Sequence, residues 1–320
     1  MRRLLLAALI SSALIIAIAR FASADIVGDP ALLDEAIRAH EHNVAELRTW
    51  DARLEVRDTR RENADSNAWT NDVTFAYDRE RGASIFVWRC AESQGLRDGK
   101  SYPGYNDGTE DGELVVDGKL YTLRFWPGPN SIRTVSVGRL VPFVPRQAVG
   151  SAELRIVPEQ LFWHGGKPLK TRFEQYKTAA LGRGDFQLEV RREGDLIKVN
   201  TQSSQNVRVL RDELAIDIAK GGMVVSAFSS VGDERTDKWQ TDVEQQNGIW
   251  IPEKRVYAYV GKAPARTAAT IERTMVWKSN HVNDPLDPSR FSVRSLTGGN
   301  EALLSDPLKR TQERIGANSP

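Results

Sequence analysis

Cysteine occurs once in these 320 residues, at Cys90, so no intrachain disulfide can form and the core must hold the fold unaided. Histidine is nearly as scarce, at four residues. His40 and His42 stand two apart on a helical segment and face different sides of it, so no metal site is expected. No G-x-S-x-G elbow, phosphate loop or H-E-x-x-H motif occurs, and carboxylates sit on the polar faces of alternating strands, where water would put them. No enzyme activity and no cofactor is therefore expected; an unrecognised hydrolase would need a buried acid–base pair in a pocket. An excess of one charge is missing too: 44 basic residues face 43 acidic ones, a net charge of +1. That balance argues against nucleic acid and against a polybasic membrane surface as partners. Heptad arrays and short internal repeats are absent.

What is present begins with an export signal. Arg2 and Arg3 precede an apolar run from Leu4 to Ile18, and Ala22-Ser23-Ala24 supplies small residues for cleavage before Asp25. The run is shorter than a spanning helix requires, so a 1–24 signal peptide, a periplasmic location and no transmembrane segment after cleavage are the expectation.

One helix opens the mature chain. Asp29-Pro30 marks its start, and Leu33, Ile37, His40, Val44 and Leu47 form a stripe at spacings of four and three. From Thr49 the period falls to two. Trp50, Ala52, Leu54 and Val56 alternate with Asp51, Arg53, Glu55 and Arg57, the mark of an antiparallel strand with one wet face. Val73, Phe75 and Tyr77 alternate likewise, Phe86 and Trp88 share a face of a strand over 83–90, and Asp117-Gly118 turns a hairpin over 114–125. The Gly- and Asp-rich stretch 91–112 reads as a solvated loop; its NDGTEDG run lacks calcium-loop spacing.

After a Pro- and Gly-rich middle, a helical insert at about 158–182 carries Leu169, Phe173, Tyr176 and Ala180 on one stripe. A second strand group follows. Phe186, Leu188 and Val190 alternate with Gln187, Glu189 and Arg191, and Gly194, Gly221-Gly222 and Asn247-Gly248 mark tight turns before a last strand over 267–278. Strands in succession joined by tight turns predict a meander, hence a curved antiparallel sheet, mainly β with flanking helices. One domain is expected over 25–297, with strand groups at about 49–140 and 185–280 and a polar tail over 298–320.

Aromatic residues are plentiful on the sheet faces: Trp50, Phe75, Trp88, Phe125, Trp126, Trp239, Trp250 and Trp277. Two helices cover only part of a concave sheet, and an uncovered apolar concavity is a binding site for acyl chains or an apolar peptide. Phe75, Trp88, Phe125 and Trp126, on the first strand group, are the candidate ligand-binding residues, some of them expected to line a cleft beneath the first helix.

"TWDARLEVRD", "VTFAYDRERGASIFVWR", "KWQTDVEQQNGIWIPEKRVYAY" and "VNDPLDPSRFSV", in this order after a leader and an amphipathic helix, resemble the LolA-type lipoprotein carrier family and its LolB and RseB-like relatives. The resemblance spans most of residues 32–293. It implies a half-open β-barrel with the N-terminal and mid-chain helices on its concave side, a monomer, and work as a periplasmic carrier of lipid or lipoprotein acyl chains. An RseB-like module holding an extracytoplasmic partner protein is the alternative it implies.

Overall fold

A computed structural model describes residues 26–62, 65–97, 100–103, 107–139, 168–205, 208–232, 234–261, 269–306 and 309–316. The leader 1–24 and residues 158–167 of the expected insert lie outside them.

The described chain is mainly strand. In sequence order the strands are β1 (Ile26–Gly28), β2 (Thr49–Glu62), β3 (Asp65–Asp78), β4 (Ala83–Arg97), β5 (Lys100–Pro103), β6 (Glu110–Val116), β7 (Lys119–Phe125) and β8 (Arg133–Arg139). After the middle come β9 (Phe186–Glu193), β10 (Leu196–Gln205), β11 (Arg208–Asp217), β12 (Met223–Val231), β13 (Arg235–Gln246), β14 (Ile249–Gly261), β15 (Ala269–Val282), β16 (Ala302–Asp306) and β17 (Thr311–Ile315). Three helices accompany them: α1 (Ala31–Glu46), α2 (Leu169–Gly182) and the single turn α3 (Val293–Leu296). Consecutive strands β9 to β15 form an antiparallel meander, as do β2 to β4 and β6 to β8. β4 pairs antiparallel with β6, so β2 to β8 form one group, and it joins the β9 to β15 meander where β15 lies antiparallel to β2. No ladder among the described residues links β1, at one edge, to β17 at the other, so the sheet curves without closing.

The turns form where the residues permit left-handed backbone: Asp117-Gly118 and Asn247-Gly248 both have positive φ at their two central positions. The period-two reading holds in β9, where Phe186, Leu188 and Val190 are buried while Gln187 and Arg191 are exposed and Glu189 is half-buried.

Both long helices pack on the concave face over β9, and α1 also over β10 and β14. Leu33 and Ala36 of α1 and Leu169, Phe173, Tyr176 and Ala180 of α2 share one core with Leu188, Val190, Ile197, Val199, Leu214 and Ile216. The buried edge of α1 runs through Leu33, Ala36, His40 and Asn43, so Ile37 and Val44 sit at its margin rather than its centre. Two polar residues fix that edge. His40 Nδ1 donates to Gly222 O at 3.2 Å, and Asn43 bridges Trp250, accepting from its N–H and donating to its carbonyl at 2.8 Å each. Gly221 and Gly222 lie under the helix with φ near +60°, and a Cβ on Gly222 would stand 2.5 Å from His40 N. Glycine is needed there both for the turn and for the close approach.

Two expectations are corrected. Stretch 91–112 is not a loop throughout: β4 runs on to Arg97 and pairs with β5, and Glu110 already belongs to β6. Ser93 and Gly95, small and without apolar alternation, hid a strand held by its backbone ladder. The described part of the expected polar tail, 298–306 and 309–316, carries two strands. β16 joins β8 in parallel and β17 pairs with β16. Phe291, Leu296 and Ala302 cover Ile85, Val87, Leu114, Leu123 and Val135 on the outer face of β4 to β8. An apolar outer face could not stay in water, and the C-terminal segment is what buries it.

Candidate functional site

Residues directly opposite one another on paired strands share a face, so the ladders spell out the concave surface row by row. One row crosses the molecule as Val190, Val199, Leu214, Ala227, Trp239, Tyr257, Arg273, Asp58 and Trp69. Its first four members are apolar and lie in the core under the helices. The rest, on β13, β14, β15, β2 and β3, are aromatic or charged.

The next row reads Thr241, Arg255, Met275, Val56, Asn71 and Cys90; the one beyond reads Trp277, Leu54, Val73, Trp88, Asp111, Arg124 and Thr134. Here a compact core of Trp50, Leu54, Val56, Val73, Phe75, Met275 and Trp277 is rimmed by half-buried Tyr77, Phe86, Trp88, Trp239 and Trp250. Past Trp88 the face is wet, with Asp111, Arg124 and Thr134 exposed.

The structure brings Phe75 and Trp88 together on this face and leaves the other two expected residues elsewhere. Phe75 is fully buried, edge-on to Trp50 with ring centroids 5.4 Å apart. Trp88 stands at the rim, on the neighbouring strand. Phe125 points from the opposite face, 4.3 Å beneath the Arg133 guanidinium, which Glu110 holds at 2.8 and 3.0 Å. Gly112 pairs with Leu123 and Glu110 with Phe125, so these four share the outer side. Trp126 lies just past the end of β7 and is 67% exposed. Of the four candidate ligand-binding residues, Phe125 therefore lies off the concave face and Trp126 lies beyond the strand: a one-residue change of parity sends a side chain to the other face. Trp126→Ala is accordingly expected to move unfolding stability by less than about 0.5 kcal/mol in urea titration, since the residue stands mostly in water.

Sequence alone missed the polar half of the concavity. Arg273 Nε donates to Asp58 Oδ1 at 2.5 Å, with the two side chains only 14% and 12% exposed. Tyr257 Oη donates to Asp237 Oδ1 at 2.7 Å, and Arg235 Nε to its Oδ2 at 2.8 Å. The Trp239 and Tyr257 rings meet at a tilt of 37° with centroids 4.4 Å apart, and the Arg255 guanidinium lies 5.7 Å over Trp239 while its Nε donates to Thr241 Oγ1 at 3.1 Å. Arg255 keeps part of its surface in solvent, but its charged end is enclosed, and lost solvation brings its pKa down to about 10. The signal was there in β2, whose inward positions change from Trp50, Ala52, Leu54 and Val56 to Asp58, Arg60 and Glu62.

Among the described residues no three His, Cys, Asp or Glu side chains group as a metal site would require, and no helix is long and apolar enough to cross a membrane. His40 is committed to Gly222, whereas His42 is exposed.

These features define an open, curved antiparallel sheet with helices on its concave side. No protein-family model matches the chain, and no curated protein matches its sequence. Among solved structures it is similar to a domain described as an outer membrane lipoprotein-sorting protein from Vibrio parahaemolyticus, at 9% identity and a TM-score of 0.39, over 82% of this chain and 99% of that one. It is also similar to a DUF1329 family protein from Desulfovibrio piger, at 11% identity and a TM-score of 0.35, over 84% of this chain and 100% of that one.

Proposed function

We propose that the protein is an exported, non-catalytic binder of an apolar ligand, an acyl chain above all, held on the concave face beside Trp88 and Phe86. The observation that carries this reading is the half-buried aromatic rim. Tyr77, Phe86, Trp88, Trp239 and Trp250 surround a packed core while the two long helices lie over β9, β10 and β14. Half-buried rings on a concave surface offer apolar area to a ligand without unpacking the core. Phe75, buried below, would support this surface from beneath. The leader supports export, and N-terminal sequencing of the secreted protein is expected to begin at Asp25.

A fluorescent fatty-acid probe is expected to bind, and Trp88→Ala to weaken it by about 1–3 kcal/mol, the value of one large apolar contact. Native mass spectrometry of protein purified with its lipids should show an acyl-bearing adduct. Wild type that binds no probe and carries no adduct would overturn the reading. A partner protein recovered in place of lipid would point instead to an interaction module.

A further inference from the structure

Two large apolar side chains stand in water at the two ends of one loop, between β7 and β8. Trp126 is 67% exposed and Ile132 49%. The register of the β7–β8 ladder, carried past the strand ends, sets them opposite each other. Every residue from 126 to 132 is exposed. A single exposed tryptophan would call for no explanation, but two opposed apolar side chains beside a cavity form a surface.

The loop holds its shape without help from either side chain. Pro127 and Pro129 fix their own φ angles, and Ser131 N donates to Gly128 O at 3.1 Å. Its base is clamped where Arg133 lies over Phe125 and donates to Glu110. A shape set in advance loses little freedom when it meets a partner.

The same loop walls a cavity of about 360 Å³. Asn130, Ser131 and Ile132 form one side, and Glu301, Ala302 and Arg314 of the C-terminal segment form the other. The charged residues of its wall are one of each sign, Glu301 and Arg314, and both are exposed.

Area and charge decide what fits. A stable protein partner needs about 800 Å² on each side, and two side chains with one cavity supply much less. A bilayer needs no such area, because side chains that reach the headgroup level gain apolar burial one at a time. Tryptophan is enriched at that level, where its ring lies in an apolar layer and its N–H meets water or headgroups. A zwitterionic headgroup carries a phosphate and an ammonium, the complement of Arg314 and Glu301.

We propose that loop 126–132 is a bilayer-contact surface. Trp126 and Ile132 enter the interface of a zwitterionic phospholipid membrane, and the cavity beside them takes one headgroup, its phosphate toward Arg314 and its ammonium toward Glu301. The surface uses none of the residues of the concave rim and goes beyond the ligand-binding reading.

The test is flotation of the mature protein with vesicles of phosphatidylcholine and phosphatidylethanolamine. Wild type is expected to float with them in about 1 M salt nearly as well as in about 0.1 M, since salt screens exposed charges and leaves apolar insertion in place. Trp126→Ala should lower the vesicle partition coefficient about tenfold, the scale of one large side chain withdrawn from an apolar layer. Trp126→Tyr should keep most of the binding, because tyrosine favours the same level. Wild type that does not float, or Trp126→Ala that floats as wild type does, would overturn the proposal. So would binding that requires anionic lipid and disappears in high salt, the mark of a purely electrostatic contact. Arg314→Gln should weaken binding by a smaller factor, and unchanged binding in it would overturn the headgroup assignment. Should a variant fail to fold, wild type in the two salts decides. The fatty-acid probe keeps the two readings apart: Trp126→Ala is expected to bind it as wild type does while losing the vesicles. Loss of both would place Trp126 in the ligand site and overturn the separate surface.

Discussion

Phe75→Ala is expected to lower the stability of the folded chain by about 3–5 kcal/mol, measured as a shift of the urea midpoint at unchanged slope. The ring is fully buried on β3 and meets Trp50 edge-on at 5.4 Å, with Val73, Leu54 and Leu47 in the same core. Truncation removes the ring's burial and leaves a cavity that two rigid strands on either side cannot collapse. A loss below about 1.5 kcal/mol would mean that Phe75 borders an open cleft, where water already reaches one side of it. Stability and probe binding thus separate two kinds of aromatic residue on one face: Phe75 should move the first, Trp88 mainly the second.

The second large effect is acid sensitivity through His40. Burial lowers its pKa from 6.5 to about 4, against a smaller opposing pull from the hydrogen bond to Gly222. The folded state therefore takes up a proton less readily than the unfolded chain. The stability tied to neutral His40 is fully present above about pH 6.5 and is lost progressively as pH falls toward 4. Each tenfold loss of proton affinity on folding is worth about 1.4 kcal/mol, so the whole contribution is roughly 3 kcal/mol. Wild type should lose that much more than His40→Gln between pH 7.5 and 4, in urea titrations run in parallel. Parallel curves for the two proteins would show that the imidazole is not held neutral against the Gly221-Gly222 turn.

Much of the fold was legible because water had written it into the chain. Alternation of Trp50 to Arg57 and of Phe186 to Arg191 gives strand and buried face together, and Asn247-Gly248 places a turn without further help. Three things stayed hidden for physical reasons. Alternation says that residues take opposite faces but not which face a distant segment will cover, so Phe125 was assigned to the concavity while residues 286–304 bury its side of the sheet. Backbone ladders carry strands whose side chains are small or polar, so the Ser93–Arg97 extension and β17 left no apolar trace. And the polar half of the site is assembled across strands far apart in sequence: Asp58 and Arg273 announce nothing until their ladder is known. Trp88 does lie on the concave face, opposite Val73, while the polar half of that face came from positions that looked like ordinary charged strand residues.

The junction between the two meanders also has a kinetic meaning. Asp58 and Arg273 pair across 215 positions of chain, and among the described residues the β2–β15 ladder that holds them is the one antiparallel seam joining the two strand groups. Each meander can zip through short hairpins in microseconds to milliseconds, but the seam must wait for a search over a very long loop. Refolding should therefore show early strand content followed by a slower step in which Trp50, Trp277 and their neighbours become buried together. Until that step the first group has an unsatisfied edge along the whole of β2, fourteen residues long. An edge of that length is a template for pairing with another molecule. The same seam that completes the concave face is thus the point at which the chain, while still folding, is most exposed to self-association.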